Sequence, residues 1–217
     1  MYLPAHFEEN DPERLQALIA DHPLATLVGQ SESGILIEHI PLHWRGSATP
    51  GEGRLIGHVA RANTAWQQWP DGSRVTAVFH GPQGYVTPSW YPSKREHGKV
   101  VPTWNYCVVH VEGRIHWTHH GAEMRPILDS LTTQHEAERA HPWAMDDAPG
   151  EYTTSMMAAV VGLSIHVDRL RGKFKLSQNR SRSDREGVLQ GLTDEQGPEH
   201  DAMLGLMQAK ARDNPKT

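Results

Sequence analysis

The stretch Ser164–Leu176 reads SIHVDRLRGKFKL and has the two-residue period of a β-strand. At the odd positions from 169 to 175 it carries Arg or Lys, and at the even positions from 170 to 176 it carries Leu, Gly, Phe and Leu. Successive side chains of a strand point to opposite faces of a sheet. The pattern therefore predicts a strand with four cations on one face and apolar side chains on the other.

Short runs with the same period lie on the N-terminal side of this strand, separated by Gly-, Pro- and Asp-rich turns. They predict strands at Leu24–Gln30, Ile35–Pro41, Arg54–Ala60, Arg74–His80 and Tyr85–Trp90, and a hairpin of Asn105–Val111 with Arg114–Thr118 turning at Glu112-Gly113. Helical periodicity predicts a first helix capped by Asp11, a helix over Gly121–Arg139 and another over Thr153–Val161.

After residue 180 the pattern is helical, with a capping box at Ser183 and Glu186 and an apolar stripe in Pro198–Ala211. Strands in the middle of the chain with helices on the flanks predict an α+β fold whose antiparallel sheet closes into a small barrel. We expect two parts, a barrel domain over residues 1–180 and a helical extension over residues 181–217.

The composition excludes several classes of protein. The 217 residues contain 21 Lys and Arg against 26 Asp and Glu, a net charge of −5, which argues against a surface dominated by nucleic-acid binding. No apolar run is long enough to cross a bilayer, and the opening MYLPAHFEEN has no secretion-signal pattern. The single cysteine, Cys107, cannot form an internal disulfide. We expect a cytoplasmic protein that does not contact a membrane.

Seven cations lie between residues 169 and 185, against one acid in that range, Asp184. One interpretation is a solvated strand face whose charges are balanced by carboxylates from another segment. The other is an anion site, with a phosphate group as the ligand, because a dianion offsets the mutual repulsion through charge-assisted hydrogen bonds. The sequence favours the anion site for the cluster as a whole.

Two segments combine planar rings with hydroxyls, amides and prolines: Ser89–Lys94 (SWYPSK) and Val101–Tyr106 (VPTWNY). This combination suits the binding of a flat heteroaromatic ring, since indoles stack on it and amides hydrogen-bond to its edges. The alternative is that the rings close the end of the barrel and have no ligand.

Five motifs in order resemble the PaiB family of FMN-binding negative transcriptional regulators. They are MYxPxHF at residues 1–7, GHVARAN at 57–63, the two aromatic segments, and KLSQN at 175–179. The resemblance runs to about residue 192, with Thr64 where the family commonly has proline. It implies a split β-barrel, a homodimer, FMN as cofactor, and a bacterial cytoplasmic protein linked to repression of protease and sporulation genes.

The resemblance also implies roles for individual residues. Arg61 and Asn63 are similar to phosphate-side ligands of split barrels. Ser89, Trp90 and Lys94 resemble wall residues of the flavin site, and Thr103, Trp104 and Asn105 resemble neighbours of the ring system. Lys175, Gln178 and Asn179 look like a polar lip that the partner subunit supplies.

The remaining chemistry-bearing residues predict no metal site and no nucleophile. His116, His119 and His120 lie near the end of one strand without a recognisable metal-binding motif, so we interpret them as exposed side chains. Cys107 lies in an apolar run, which indicates a buried and unreactive thiol.

Two function hypotheses stay open, an FMN-binding regulator and an FMN-dependent oxidoreductase acting on a small molecule. Direct nucleic-acid binding is weakly supported, because no basic recognition helix is visible and the tail helices carry many acids.

Overall fold

The computed structural model describes residues 1–46, 52–119, 121–195 and 197–213. Within these ranges the strands are β1 Glu8–Glu9, β2 Leu24–Ser31, β3 Gly34–Pro41, β4 His43–Arg45, β5 Arg54–Ala60, β6 Arg74–Val86, β7 Thr103–Thr118 and β8 Val160–Lys175. The helices are α1 Pro12–Asp21, α2 Ala65–Gln68, α3 Ser93–Glu96, α4 Gly121–Glu136, α5 Gly150–Ala158, α6 Arg182–Glu195 and α7 Pro198–Asp213.

The strands pair in the order β3-β2-β6-β7-β8-β5-β4, with β1 also paired to β8. The pairs β1–β8, β2–β3, β2–β6, β4–β5 and β5–β8 are antiparallel. An antiparallel sheet with flanking helices confirms the α+β class.

The chain divides into two compact units. The first unit consists of Met1–Asn10, His80–Val108 and Gly172–Thr217, and the second consists of Asp11–Phe79 and Val109–Arg171. The domain boundary expected at residue 180 stays a prediction.

The start of the second unit follows the sequence pattern closely. The Asp11 carboxylate accepts a hydrogen bond from the Glu13 N–H at 3.0 Å, and Pro12 occupies the first position of α1, where its missing N–H costs nothing. Helix α1 buries its predicted apolar stripe of Leu15, Leu18 and Ile19. The cap and the stripe of this helix are therefore confirmed.

The hairpin predicted at Glu112-Gly113 is wrong. Strand β7 runs without a break through these residues for 16 positions. Gly113 serves a different purpose, because a Cβ atom there would lie 2.2 Å from the His166 carbonyl oxygen of β8. The glycine marks a close approach of two backbones, which the sequence does not distinguish from a turn.

The separate strand predicted over Tyr85–Trp90 is also wrong. Strand β6 continues from Arg74 to Val86, and a 3₁₀ turn follows at Pro88–Trp90. The β2–β6 pairing ends at Val78, so the missing N–H of Pro82 removes no hydrogen bond from that ladder. Gly81 and Pro82, which lie between the two predicted strands, therefore do not end β6.

Helix α6 is capped by Ser181 and not by Ser183, where the sequence predicted a capping box. The Ser181 hydroxyl accepts a hydrogen bond from the Asp184 N–H at 3.2 Å, so the helix is capped two residues before Ser183. Glu186 forms an ion pair with Arg182 at 2.8 Å, one turn away. The Asp184 carboxylate is buried and accepts hydrogen bonds from the Ser93 hydroxyl at 2.8 Å and from the Ser93 N–H at 3.2 Å.

In the first unit, helix α6 lies directly against Trp90. A Cβ atom at Gly191 would lie 2.3–2.5 Å from the indole ring, and one at Gly187 would lie 2.0 Å from the Trp90 carbonyl oxygen. Both positions therefore require glycine despite its poor helix propensity. Gly205 in α7 is different, because a Cβ atom there would meet nothing within 4 Å.

In the described ranges, no helix has the length and apolar character that a membrane span requires.

The glycine contacts predict opposite effects of one substitution at two helix positions. Gly187→Ala should lower the free energy of unfolding by about 1–3 kcal/mol, because the new methyl group overlaps a backbone carbonyl. Gly205→Ala should raise it by about 0.5–1 kcal/mol, since alanine favours the helix and nothing opposes it. Urea denaturation followed by circular dichroism measures both values. Stabilisation by both substitutions would contradict the close contact of α6 with Trp90.

Candidate functional site

Three of the predicted site residues meet in the first unit at the end of β8. The Lys175 ammonium donates hydrogen bonds to the Thr103 hydroxyl, at 2.5 Å, and to the carbonyl oxygen of Trp104. Lys175 closes β8 and Thr103 begins β7, so two neighbouring strands of the sheet bring these groups together. The ammonium is thereby held at the backbone of Trp104, the residue that follows Thr103.

The Trp104 indole is the exposed ring of this group. It is 54% exposed and contacts the ring of Tyr85, which is 48% exposed, at a centroid distance of 6.0 Å and an interplanar angle of 71°. Two large neighbouring rings at the surface thus offer exposed apolar area. Tyr85 was missed in the sequence, where nothing separates it from any other aromatic residue of a strand.

Two more cations lie near Lys175, and both are held by groups without a negative charge. The Lys173 ammonium, in a residue only 8% exposed, donates to the Tyr2 carbonyl oxygen at 3.1 Å and lies 5.3 Å from the centre of the Tyr106 ring. The Arg180 guanidinium lies 4.9 Å from the centre of the Tyr91 ring. Rings and carbonyls attract a cation without cancelling its charge.

The positive charges act on one another. The pKa of Lys175 is lowered, first because the ammonium is partly buried and then because Lys173 and Arg180 repel its charge. Glu8 lies opposite Lys173 in the β1–β8 register. Even so, among the ion pairs within 4 Å in the described ranges, none contains Lys173, Lys175 or Arg180. We call Thr103, Trp104, Lys173, Lys175 and Arg180 the cationic surface.

The predicted wall residues separate into an exposed pair and a packed ring. The Lys94 ammonium donates to the Ser89 hydroxyl at 3.1 Å, and both residues are exposed. Trp90 is half-buried against Gly191 and has an edge contact with the His200 ring at 6.5 Å. Its indole therefore packs on helix α6, and its role as a wall residue of the flavin site stays a prediction.

The Asn105 side chain lies in the interior. Asn105 is 1% exposed, and its amide exchanges hydrogen bonds with the Ser177 hydroxyl at 2.9 and 3.2 Å. Ser177 has a φ of 64°, a conformation that favours glycine, and the buried amide holds it there. Asn105 thus fixes the turn that follows β8.

The same turn contains the other two residues of the predicted lip. The Gln178 amide accepts from the Leu176 N–H at 2.7 Å and donates to the Phe174 carbonyl at 2.5 Å. Asn179 is exposed. Gln178 therefore forms hydrogen bonds with two backbone groups of the turn, and Asn179 lies at the surface.

Arg61 and Asn63 lie in the second unit, after β5. The Arg61 guanidinium donates to the carbonyl oxygens of Ala158, at 2.7 Å, and Val160, at 2.8 Å, where α5 ends and β8 begins. The Asn63 side-chain oxygen accepts from the Ala65 N–H at 2.8 Å, at the start of α2. Both side chains thus have structural partners within their own unit, and their ligand roles stay predictions.

The basic residues on β8 differ in their exposure and in their ion-pair partners. Arg169 is exposed and Lys173 is buried, and Arg171 forms an ion pair with Glu112. Arg182 pairs with Glu186. For Arg171 and Arg182, the interpretation in which a carboxylate balances the charge is therefore correct.

Cys107 is 2% exposed, and burial raises the pKa of its thiol, so the prediction of a buried thiol is confirmed. His119 contacts the Trp66 ring at 5.3 Å, and His116 contacts the His166 ring at 4.9 Å. His120 lies outside the described residues.

Comparison with known proteins identifies the same family as the sequence motifs. A family model described as "Putative FMN-binding domain" matches residues 1–169. The Bacillus subtilis protein named protease synthase and sporulation protein PAI 2 is 28% identical over 212 residues, which cover 98% of this chain and 99% of that protein. The uncharacterized protein AN0679 of Emericella nidulans is 35% identical over 226 residues, covering 88% of this chain and 90% of that protein. A fungal relative means that membership alone does not indicate a bacterial source.

A solved structure supports the type of fold. The FAD and heme binding protein of Mycobacterium smegmatis superposes with a TM-score of 0.58 and 17% identity, over 78% of this chain and 73% of that chain. At this identity the likeness concerns the fold alone, and it confirms the flavin-binding split-barrel type. The family match over residues 1–169 shows that the chain belongs to the PaiB family of FMN-binding proteins, with FMN as cofactor.

Proposed function

We propose that this chain is an FMN-binding regulatory protein whose cationic surface contacts the cofactor. One observation carries the proposal. In the described ranges, Lys175 is repelled by Lys173 and Arg180, and none of the three has an ion-pair partner within 4 Å. The Lys175 ammonium donates to the backbone carbonyl of Trp104, whose indole is exposed.

The chemistry of the donors fits FMN at both ends of the molecule. The phosphate is a dianion near neutral pH and takes several charge-assisted hydrogen bonds, which Lys175 and the neighbouring cations supply. The isoalloxazine ring is flat and wide, and the exposed Trp104 offers a face for it. A neutral ligand would leave the repulsion among Lys173, Lys175 and Arg180 unrelieved.

FMN supplies reversible one- and two-electron redox chemistry wherever it is bound. In this chain, Lys175 and Thr103 would bind and orient the cofactor, and Trp104 would exclude water from its ring. Lys94 and Ser89 add an exposed cation and hydroxyl in the same unit. We keep the other predicted roles as part of the proposal: Arg61 and Asn63 as phosphate-side ligands, Trp90 as a wall residue, Asn105 as a neighbour of the ring, and Lys175, Gln178 and Asn179 as the lip.

The regulatory role rests on the relative from Bacillus subtilis, whose name refers to protease synthesis and sporulation. The resemblance also implies a homodimer, with the lip supplied by the partner subunit. The chain would then exist in solution with twice its mass of 24.3 kDa. We propose that flavin occupancy or its redox state changes the effect of this dimer on protease and sporulation genes.

Removing the proposed flavin contacts should weaken FMN binding. Trp104→Ala should raise the Kd for FMN about tenfold by removing a ring contact. Lys175→Met should raise it roughly 10–100-fold, because a charged hydrogen-bond donor to the phosphate is lost. Titration of the flavin-free protein with FMN, followed by quenching of flavin fluorescence, measures each Kd.

Two matched variants control for general effects on the protein. Trp143 is 47% exposed in the second unit, so Trp143→Ala removes a comparable exposed indole. Lys99→Met removes one exposed positive charge in the first unit. Both should bind FMN as the wild type does. If Trp143→Ala weakens binding as much as Trp104→Ala, the cationic surface is not the flavin site.

The lowered pKa of Lys175 predicts how FMN affinity depends on pH. The phosphate favours the charged lysine, so affinity should fall as the pH rises through the lowered pKa of Lys175, before an ordinary lysine would titrate. It should also fall below about pH 6, where phosphate takes up its second proton. Fluorescence titrations across this range test both limits. In Lys175→Arg the alkaline fall should disappear, because arginine keeps its proton, and an unchanged fall would exclude Lys175 as its cause.

The regulatory part of the proposal requires FMN binding in the cell. A strain lacking this chain, complemented with Lys175→Met, should show the protease transcript levels of the deletion strain, and Lys99→Met should restore the wild-type levels. Quantitative transcript measurements compare them. Full complementation by a Lys175→Met protein that has lost FMN would separate regulation from the flavin. Rapid bleaching of the bound flavin by NADH or NADPH would instead favour the oxidoreductase hypothesis.

A further inference from the structure

The second unit contains a cleft of about 680 Å³ whose lining residues all lie on strands, namely β2, β3, β6, β7 and β8. The volume falls within the range of small-molecule sites, which is about 300–1,000 Å³. None of the lining residues belongs to the cationic surface or to the residues predicted for the flavin site. Five of the twelve carry a charge: Arg74, Glu112, Arg114, Asp168 and Arg169.

The three arginines of the cleft come from the three neighbouring strands β6, β7 and β8, one from each. The Ile115 N–H of β7 donates to the Ser73 carbonyl oxygen, just before β6, at 3.0 Å. The residues next to these two, Arg114 and Arg74, therefore lie side by side on adjacent strands, where like charges repel each other. The Arg114 guanidinium also donates to the Gly72 carbonyl oxygen at 3.0 Å, which fixes the side chain and leaves its charge in place.

The two acids of the lining do not neutralise these arginines. Glu112 forms its ion pair with Arg171, which is not a lining residue. Over the part of the chain that the structure describes, the ion pairs within 4 Å include none of Arg74, Arg114, Asp168 and Arg169. The cleft therefore presents three guanidiniums and, at a separate position, one carboxylate, each without an ionic partner.

This arrangement of charges indicates the chemistry of a ligand. A guanidinium binds a carboxylate through two parallel hydrogen bonds. Neighbouring strands lie about 4.8 Å apart, so the backbones of β6 and β8 are separated by roughly 10 Å, with β7 between them. Arginines that start this far apart suit two separate carboxylates better than one compact anion.

Asp168 adds a requirement that a simple dicarboxylate does not meet. A ligand with negative charges alone would bring them towards an unpaired carboxylate and be repelled by it. A ligand that also carries an ammonium group would give Asp168 an ionic partner. Two carboxylates and one ammonium together form the charge pattern of an acidic amino acid.

We propose that this cleft binds an acidic amino acid. Arg74 and Arg114 bind one carboxylate of the ligand, Arg169 binds the other, and Asp168 binds its ammonium group. One carboxylate between Arg74 and Arg114 also relieves the repulsion between these neighbours. The proposed site does not depend on the flavin site, because the two share no residue.

Isothermal titration calorimetry of the FMN-loaded protein with L-glutamate tests the proposal. L-Norvaline has the same five carbons and the same ammonium but lacks the second carboxylate, so it should bind at least about tenfold more weakly. Glutarate lacks only the ammonium group, and it should bind about three- to fivefold more weakly, the effect expected for one exposed ion pair.

Substitutions in the cleft should affect these ligands differently. Arg74→Met should raise the Kd for L-glutamate about tenfold, because a charged hydrogen-bond donor is lost, and Arg169→Met should do the same from the other side of the cleft. Asp168→Asn should weaken L-glutamate about three- to fivefold but should not weaken glutarate, which has no ammonium group. A general distortion of the cleft would weaken both ligands.

Arg54→Met and Asp21→Asn are the matched controls, since each removes an exposed charge of the second unit that does not line the cleft. Both should bind L-glutamate as the wild type does, and a thermal melt should show that each variant is folded. Absence of L-glutamate binding, binding of glutarate or L-norvaline as tightly as L-glutamate, or equal weakening by Arg54→Met and Arg74→Met would each overturn the proposal.

Discussion

The repulsion among Lys173, Lys175 and Arg180 at the end of β8 is the constraint on which the proposed function of the first unit depends. Lys173, Lys175 and Arg180 are close enough to lower the pKa of Lys175, and they are held by carbonyls, a hydroxyl and aromatic rings. Such partners pay part of the desolvation cost of a cation but leave its charge uncompensated. A fold that keeps this repulsion has a ready use for a compact anion, because a bound dianion turns an unfavourable interaction into a favourable one.

The same constraint explains why the turn after β8 is so completely hydrogen-bonded. Ser177 is held in the left-handed conformation by the buried amide of Asn105, and Gln178 satisfies two backbone groups of the turn. A rigid turn keeps Lys175 and Arg180 at a fixed separation although they repel each other. The polar residues of the KLSQN motif thus contribute to the site mainly by fixing the backbone that carries its cations.

The sequence predicted the elements whose signals are local. The Asp11 cap, the stripe of α1 and the last strand each depend on a few neighbouring residues, and each was confirmed. The error at Gly113 and the unpredicted contact at Gly191 have another origin. Each glycine admits an atom from a residue more than 50 positions away, His166 for Gly113 and Trp90 for Gly191. A glycine that makes room for a distant backbone or ring cannot be distinguished in the sequence from a glycine that turns the chain, because the local hydrophobic pattern contains no information on distant contacts.

For the candidate site, the structure brings together Lys175 and Thr103–Trp104 from two of the predicted segments, but the sequence did not indicate which side chains of those segments pack and which are exposed. Trp90 and Trp104 have similar surroundings in the sequence, yet Trp90 packs on α6 and Trp104 is exposed. The difference depends on the two glycines of α6, which follow Trp90 by about a hundred residues. Likewise, Arg171 and Lys175 belong to one alternating row, and only the position of Glu112 on the adjacent strand decides which of them is neutralised.

This division of the basic residues also bears on which anion the protein binds. A nucleic-acid surface needs cations that follow a phosphate backbone over many positions. Here Arg171 and Arg182 are paired with carboxylates, and Lys210 is paired with the buried Glu9. Lys173, Lys175 and Arg180 have no ion-pair partner within 4 Å among the described residues, and such a compact group suits one small dianion better than a polymer. Any influence of this chain on transcription is therefore better explained by a flavin-dependent effect on another component than by tight binding of the chain to DNA.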